Sequence, residues 1–347
     1  MEKSQGVTKV FCIRKTKDIM KARIAYLDSL RGLAILLVVV GHLIQYNYNQ
    51  GLQSHLFNII YSFHMPLFFF LCGCTRSIHE GTIKDEVYLL KNVGNDILNK
   101  FASLIIPSVA WSILVPLFFQ RVHTISIETL SEYWFLNVLF AIYVFWLILS
   151  YVYRKINYKG LLVTFLVLGV ISCYLLDIYR IPMTYLCFFV AGYFYQRNML
   201  SERIPPYMIA LIIVAFLLFV GKYLYGSDIQ GSPDRVWLLL LFSSLASISL
   251  HWIFSRNNLN NELLSELGKY SLGIYLCHYF FVKLPFLENI QRNLSNVYQL
   301  LVLLIFAVIV SYICIGVQKI VEKISWMNGL FYGNWKFLKK KAYECDC

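Results

Sequence analysis

Charged residues are scarce in this chain of 347 residues, since Asp, Glu, Lys and Arg together make up only 14% of it. A soluble domain carries about 25% of such residues. A soluble fold of this length also cannot bury as many all-round apolar helices as the repeated hydrophobic runs would form. The runs are continuous and lack the alternating ten-residue segments of a transmembrane β-barrel. With a mean hydropathy of +0.61, the sequence predicts an all-α, polytopic membrane helical bundle.

Other absences exclude further classes. The first 25 residues are basic but contain no apolar h-region, so we expect no cleavable signal peptide. The nine cysteines show no metal-type spacing, and several lie in apolar runs where cysteine acts as a small hydrophobe, so no metal site is predicted. The net charge of +12 is explained by basic residues on the inner side of a membrane, so no nucleic-acid partner is expected. No internal repeat or appended soluble domain is visible.

Ten apolar runs are long enough to be membrane spans. We place them at residues 28–47, 56–74, 101–120, 134–153, 160–178, 181–197, 206–224, 236–254, 270–287 and 297–318. With the N-terminus inside, cytoplasmic segments carry 24 Lys and Arg residues and outer loops carry 6, with Arg31 the remaining one. This asymmetry predicts that both termini are cytoplasmic, in a cell inner membrane. The chain then divides into a basic N-terminal segment (1–27), a transmembrane domain (28–318) and a basic tail (319–347).

The first span carries three ionisable residues, which are costly inside a membrane and therefore indicate function. In the stretch 26–45, YLDSLRGLAILLVVVGHLIQ, Arg31 and His42 are 11 residues apart and lie on one helix face, with Asp28 near the same stripe. At about 1.5 Å per residue, His42 lies roughly 16 Å deeper than Arg31. Asp28 has two structural alternatives: a helix-end ion pair with Arg31 and a favourable interaction with the helix dipole.

Polar residues in later spans extend the candidate site. His64 in the second span and His278 in the ninth fall at depths where they could share a cavity with His42. Each could instead be an interhelical hydrogen-bonding residue with a packing role, and Trp134 fits an aromatic belt at a span end. These residues are compatible with three classes of function. They are a transporter or flippase that uses the intramembrane His, Asp and Arg as a relay, an enzyme with His42 as base, and a receptor or scaffold.

Four motifs in order carry a family resemblance. They resemble the signatures of the membrane acyltransferase-3 family. The motifs are YLDSLRGLA and VGH around Arg31 and His42, FHMPLFFF with Cys72-Gly73, WFL at Trp134, and LGKYSLGIYLCH ending at His278. Through the segment HMPLFFF, the chain is most similar to the family's branch of sugar and exopolysaccharide O-acetyltransferases. The family's Ser-Gly is Cys72-Gly73 here, and its Arg-x-x-Arg pair before the third span is reduced to Lys100.

The resemblance implies an integral membrane O-acyltransferase of the cell envelope. Such an enzyme moves an acetyl group from cytoplasmic acetyl-CoA, which is a substrate and not a bound cofactor, to a sugar hydroxyl of a surface polysaccharide or its lipid-linked precursor. His42 is then the expected general base, and Asp28 holds Arg31. Arg31, Arg76 and Lys100 are expected at the acyl-CoA, and His64, Trp134 and His278 at the glycan acceptor. The expected partners are acyl-CoA, the glycan, the bilayer and glycan-assembly proteins.

Overall fold

A computed structural model describes residues 2–48, 55–82, 93–118, 133–153, 180–225, 234–282 and 297–335. Twelve helices lie in these ranges, and no strand occurs in them. In chain order they are α1 (Glu2–Asn47), α2 (His55–Thr82), α3 (Val93–Phe118), α4 (Trp134–Tyr153), α5 (Arg180–Arg197), α6 (Leu200–Arg203), α7 (Pro206–Tyr225), α8 (Asp234–Arg256), α9 (Glu262–Lys269), α10 (Ser271–Val282), α11 (Val297–Val321) and α12 (Ser325–Tyr332). The predicted all-α class is confirmed.

Five helices are long and apolar enough to cross a membrane. They are Ala25–Asn47 in α1, His55–Gly81 in α2, Val93–Phe118, Trp134–Tyr151 in α4 and Leu300–Val321 in α11. Helices also lie at the predicted sixth to ninth spans, among which Pro206–Leu218 and Ser271–Val282 are shorter apolar helices. The predicted fifth span at 160–178 and the tail from residue 336 onward lie outside the described residues. The ten-span count and the cytoplasmic termini stay predictions.

α1 begins at Glu2 instead of residue 28, and two later helices extend beyond their predicted apolar runs because amphipathic turns continue them. α2 runs to Thr82 instead of residue 74, and its last turns contain Arg76 and Glu80 one turn apart, which form an ion pair at 2.7 Å. α3 begins at Val93 instead of residue 101, through the polar turns VGNDILNK. Lys100 therefore lies within a helix and not in a loop before it.

A single π-helical turn, Phe101–Ile105, interrupts α3. There the backbone N–H of Ile106 bonds to the carbonyl of Phe101, five residues earlier. Pro107 follows directly, and a proline inside a helix lacks an N–H and its ring collides with the carbonyl four residues before it. The wider turn accommodates this defect without ending the helix, as π-bulges commonly do.

Glycines bring α1 and α9 into backbone contact. A Cβ atom on Gly32 would overlap the carbonyl of Leu264, and one on Gly268 would overlap the carbonyl of Asp28. The start of α9 is fixed by Asn261, whose side chain accepts a hydrogen bond from the backbone N–H of Leu264 at 3.0 Å. The close packing places α9 directly against the turn of α1 that carries Asp28 and Arg31.

A second glycine pair joins α2 to α5. A Cβ atom on Gly73 would overlap the carbonyl of Phe189, and one on Gly192 would overlap that of Phe70. The core beside this contact is aromatic. The largest fully buried side chains include Trp146, Tyr133, Phe69, Phe70, Phe188 and Phe189. Because α1 and α2 contact each other as well as these partners, the two helices with most of the candidate residues lie at the centre of the bundle.

Candidate functional site

Hydroxyl and amide groups surround the imidazole of His42. The Nδ1 atom lies 3.1 Å from Oε1 of Gln45 and 3.3 Å from the hydroxyl of Tyr61. The Nε2 atom lies 3.2 Å from the hydroxyl of Tyr279. The exposed ring of Tyr46, one turn further along α1, is stacked at a centroid distance of 6.0 Å. Both ring nitrogens are thus within hydrogen-bonding distance of polar groups.

The structure brings His278 to His42 and places His64 one ring further away. The His42 and His278 ring centroids are 5.1 Å apart. His64 packs against Tyr61 at 4.7 Å, and Tyr61 in turn contacts His42. Both additional histidines are buried. Their Nδ1 atoms donate to helix carbonyls, with distances of 2.7 Å to Ile60 and 2.7 Å to Tyr275. The structure thus groups three imidazoles from α1, α2 and α10, and the cavity between them stays a prediction.

The segment that contains Trp134 contacts this cluster through the neighbouring residue Tyr133. The Trp134 ring packs on Tyr185 at 5.4 Å. Tyr133 contacts the ring of Tyr279 at 5.7 Å and donates its hydroxyl to the carbonyl of Leu276 at 2.9 Å. Tyr133, directly before α4, therefore connects this segment to the His42 region, and it was not predicted as a site residue.

Arg31 is fixed at the other end of the polar face of α1. Its Nη1 atom forms the predicted ion pair with Asp28 at 3.0 Å. Its Nη2 atom donates to the hydroxyl of Thr75 on α2. The side chains of Arg31 and Asp28 remain 24% and 14% exposed, so the guanidinium is oriented by two partners and still reaches the surface.

Lys100 and Cys72 lie in the same region as Arg31. The Lys100 ammonium lies 4.3 Å from the centroid of the Tyr143 ring. Cys72 on α2 lies near Tyr143 and is within electrostatic range of both Arg31 and Lys100. Two cations from α1 and α3 thus approach one point on α2, where an anionic ligand would be attracted.

Arg76 is engaged by acidic partners. Its Nε atom donates to Glu80 at 2.7 Å, and its Nη1 atom lies 3.7 Å from Asp96. Glu80 also accepts from the indole N–H of Trp146 at 3.2 Å and from the hydroxyl of Tyr193 at 2.8 Å. The guanidinium of Arg76 is therefore part of a buried network between α2, α4 and α5. Its predicted contact with acyl-CoA stays a prediction.

Sequence reasoning missed the residues that surround His42. Gln45 lies three residues beyond His42 on the same helix, a spacing that places side chains next to each other, so the sequence did contain a signal for it. Tyr279 is adjacent to His278 in the chain. Tyr61 gave no such signal, because tyrosines are frequent in this chain, with 25 in total, and only the packing of α2 against α1 selects this one.

The comparison with protein families decides which family these residues belong to. The family model described as an acyltransferase domain, acyltransferase-3, matches residues 24–316. The chain belongs to the acyltransferase-3 family. The matched region begins just before Asp28 and includes all the motifs from which the resemblance was inferred, so the predicted family is confirmed.

A curated relative is the nodulation protein NolL of Mesorhizobium japonicum. It is 27% identical over 248 residues, which cover 63% of this chain and 64% of the relative. The chain therefore spans just under two thirds of the length of that protein. No solved structure matches the chain. Family membership thus rests on sequence, and the arrangement around His42 rests on the geometry described above.

Proposed function

We propose that the protein is an integral membrane O-acyltransferase of the cell inner membrane. It takes an acetyl group from cytoplasmic acetyl-CoA and transfers it to a sugar hydroxyl of a surface polysaccharide or its lipid-linked precursor. The observation that carries the proposal is the polar face of α1. This face presents the fixed guanidinium of Arg31 at one end and the hydroxyl-lined imidazole of His42 at the other.

His42 acts as the general base in this proposal. An imidazole titrates near neutral pH, so it can accept a proton and return it. The sugar hydroxyl gives its proton to His42 while its oxygen attacks the thioester carbonyl, and a tetrahedral oxyanion forms. The carbon–sulfur bond then breaks, the acetyl ester remains on the sugar, and the CoA thiolate takes the proton from His42. Neighbouring hydroxyls such as that of Tyr279 are suitable donors to the oxyanion.

The donor approaches from the Arg31 end. Arginine suits this role because its planar guanidinium binds phosphate oxygens through paired hydrogen bonds and stays charged. Asp28 and Thr75 hold it in place, and Lys100 adds a second positive charge nearby. Arg76 lies next to this region, but its charge is paired with Glu80, so it adds little net positive potential. The thioester at the end of the extended CoA arm then lies deeper, towards His42.

The acceptor approaches the His42 end. Tyr46 is 37% exposed there, so the cluster reaches the surface at the end of α1 opposite to Arg31. His278 and His64 line the wall, and Trp134 contributes through its packing on Tyr185. Aromatic and imidazole side chains combine apolar surface with a few polar atoms, the usual composition of a small-ligand site.

The decisive experiment is the substitution His42→Ala in a host strain that lacks its own copy of the gene. Acetate released from cell-surface glycans by mild base is measured after induction of the wild type or the variant. We expect the variant to reach the membrane in normal amounts and to lose acetylation by at least about 100-fold, the lower range for a general base. Acetylation at the wild-type rate by His42→Ala would falsify the assignment.

Arg31→Ala separates donor use from chemistry in a second assay. We expect it to raise the apparent KM for acetyl-CoA in membrane vesicles, because a charge that orients the phosphates is lost. Arg256→Ala removes an equal charge from an exposed position on α8 and should leave this KM unchanged. An unchanged KM for Arg31→Ala contradicts the donor role. Glycan movement across proteoliposome membranes without acyl-CoA would instead favour a flippase.

A further inference from the structure

The two nitrogens of His42 face chemically different partners. Nδ1 faces the side-chain oxygen of Gln45 at 3.1 Å and the hydroxyl of Tyr61 at 3.3 Å. Nε2 faces the hydroxyl of Tyr279 at 3.2 Å. A neutral imidazole carries one proton, and the hydrogen bond at one nitrogen decides which nitrogen keeps a lone pair. The partners of Nδ1 therefore decide which nitrogen can act as a base.

Both partners of Nδ1 present oxygen lone pairs. The Tyr61 hydroxyl donates its hydrogen to Oε1 of Gln45 at 3.1 Å. That hydrogen is then not available to His42, and the phenolic oxygen can only accept from it. The amide oxygen of Gln45 is an acceptor by its chemistry. A hydrogen bond at Nδ1 therefore requires the proton to be on Nδ1.

We propose that Gln45 and Tyr61 are positioning residues that hold His42 as the Nδ1–H tautomer, which makes Nε2 the reacting nitrogen. This inference rests on the proposed function, because it names the atom of His42 that takes the acceptor proton. Nε2 points to α10, where the Tyr279 hydroxyl lies 3.2 Å away and, with the proton on Nδ1, donates to Nε2. The sugar hydroxyl takes the position of that phenol when it binds.

The inference also explains why an amide stands at position 45. A carboxylate at this place would hold the same tautomer but would put a negative charge at a half-buried position, which carries a desolvation cost. Gln45 supplies the acceptor oxygen without the charge, and the hydroxyl of Tyr61 keeps that oxygen oriented. A positioned partner on the far nitrogen of a histidine is a common way to orient the ring and fix its tautomer.

The first test measures the tautomer directly and needs neither donor nor acceptor. The purified protein, labelled with 15N-histidine and reconstituted in lipid vesicles, is compared by solid-state NMR with His42→Ala, so that the His42 signals are found by difference. We expect a protonated Nδ1 and an unprotonated Nε2 in the wild type. In Gln45→Leu the two tautomers should mix. A wild-type spectrum with the proton on Nε2 overturns the inference.

The second test measures acetate on the surface glycans of the complemented host strain. Gln45→Leu should lower the rate by about 10- to 100-fold, which corresponds to one lost buried hydrogen bond. Gln45→Glu retains the acceptor oxygen and should keep most of the activity. Gln196→Leu, the same change on α5 far from His42, should have no effect. Wild-type activity in Gln45→Leu, or equal losses in Gln45→Leu and Gln45→Glu, overturns the inference.

The two proposals fail in different ways. If His42→Ala still acetylates glycans while the spectrum shows the Nδ1–H tautomer, the proposed function is wrong and the description of His42 stands. If His42→Ala is inactive but the proton lies on Nε2, the function stands and the role of Gln45 and Tyr61 is wrong.

Discussion

Glu80 is a carboxylate that is only 3% exposed and that holds three helices together. It accepts hydrogen bonds from Arg76, Trp146 and Tyr193, which lie on α2, α4 and α5. A buried carboxylate is tolerated only when it is paired and its lone pairs are occupied, and Glu80 meets both conditions. The network also neutralises Arg76, so this arginine can lie in a buried position next to the donor region.

Glu80→Gln should therefore destabilise the protein strongly. The amide keeps the size of the side chain but leaves Arg76 with only the longer contact to Asp96 at 3.7 Å, and breaking a buried ion pair costs up to about 3–5 kcal/mol. We expect a clear fall in the melting temperature of the purified protein, measured by scanning fluorimetry in detergent. A melting temperature equal to that of the wild type would show that Arg76 does not depend on Glu80.

The matched control is Glu266→Gln in a solvated ion pair. Lys319 donates to Glu266 at 3.1 Å, and this hydrogen bond holds the pKa of the Glu266 carboxyl below its ordinary value. A carboxyl with a lowered pKa stabilises the fold above its unfolded-state pKa, and this contribution is lost as the pH falls through the folded-state value. The side chains are 51% and 37% exposed, so the control should change the melting temperature little at neutral pH.

Individual residues were predictable from sequence where one helix carries them together. Asp28, Arg31 and His42 share a face of α1, and periodicity alone placed the ion pair at one end and the imidazole at the other. Glu80 was missed because it lies beyond the apolar run that was used to end the second span. Its partners, Trp146 and Tyr193, lie more than 60 residues away in the chain, and no local pattern connects them.

Among the helices, the contact between α1 and α9 depends on having no side chain at the crossing. Gly32 and Gly268 let the two backbones approach until each would collide with a Cβ on the other. Small residues at helix crossings permit such close packing in membranes. The contact matters for the site because Gly268 packs on the carbonyl of Asp28, the residue that holds Arg31.

Gly268→Ala should therefore separate α1 from α9. The added methyl would overlap backbone atoms, which cannot rotate away as a side chain can, and overpacking of this kind typically costs about 1–3 kcal/mol. We expect less monodisperse protein after detergent extraction and a lower melting temperature. Gly316→Ala is the control, because a Cβ there meets no atom within 4 Å. A melting temperature for Gly268→Ala as high as that of the control would rule out the close crossing.

The ends of the helices were predictable where hydrophobicity defines them. The predicted ends were wrong where amphipathic turns continue the helix. The apolar runs located α4 and the membrane-spanning part of α1, Ala25–Asn47, within a few residues. α2 and α3 extend further because charged side chains such as Arg76 and Asp96 find partners in the bundle. A count of apolar residues does not contain that information, since the partners are set by packing between helices.

For the whole molecule, the orientation in the membrane decides whether the proposed chemistry is possible. Acetyl-CoA is expected from the cytoplasm, so the Arg31 end of α1 must face inward and the His42 end outward. The excess of Lys and Arg in alternate segments predicts this orientation. It also requires the stretch 160–178, which lies outside the described residues, to cross the membrane once, because otherwise every later segment would change sides.

Single cysteines at three exposed positions test the orientation and the fifth span together. In a variant without native cysteines, His55→Cys at the start of α2 should react with a membrane-impermeant maleimide added to intact cells. Leu98→Cys, at a position 63% exposed in α3, and Glu202→Cys in α6 should react only after permeabilisation. If Glu202→Cys but not Leu98→Cys is labelled from outside, one of the predicted spans between these two positions does not cross the membrane. Labelling of Leu98→Cys from outside would place Arg31 on the side without acetyl-CoA, and the assignment of the donor end would then be wrong.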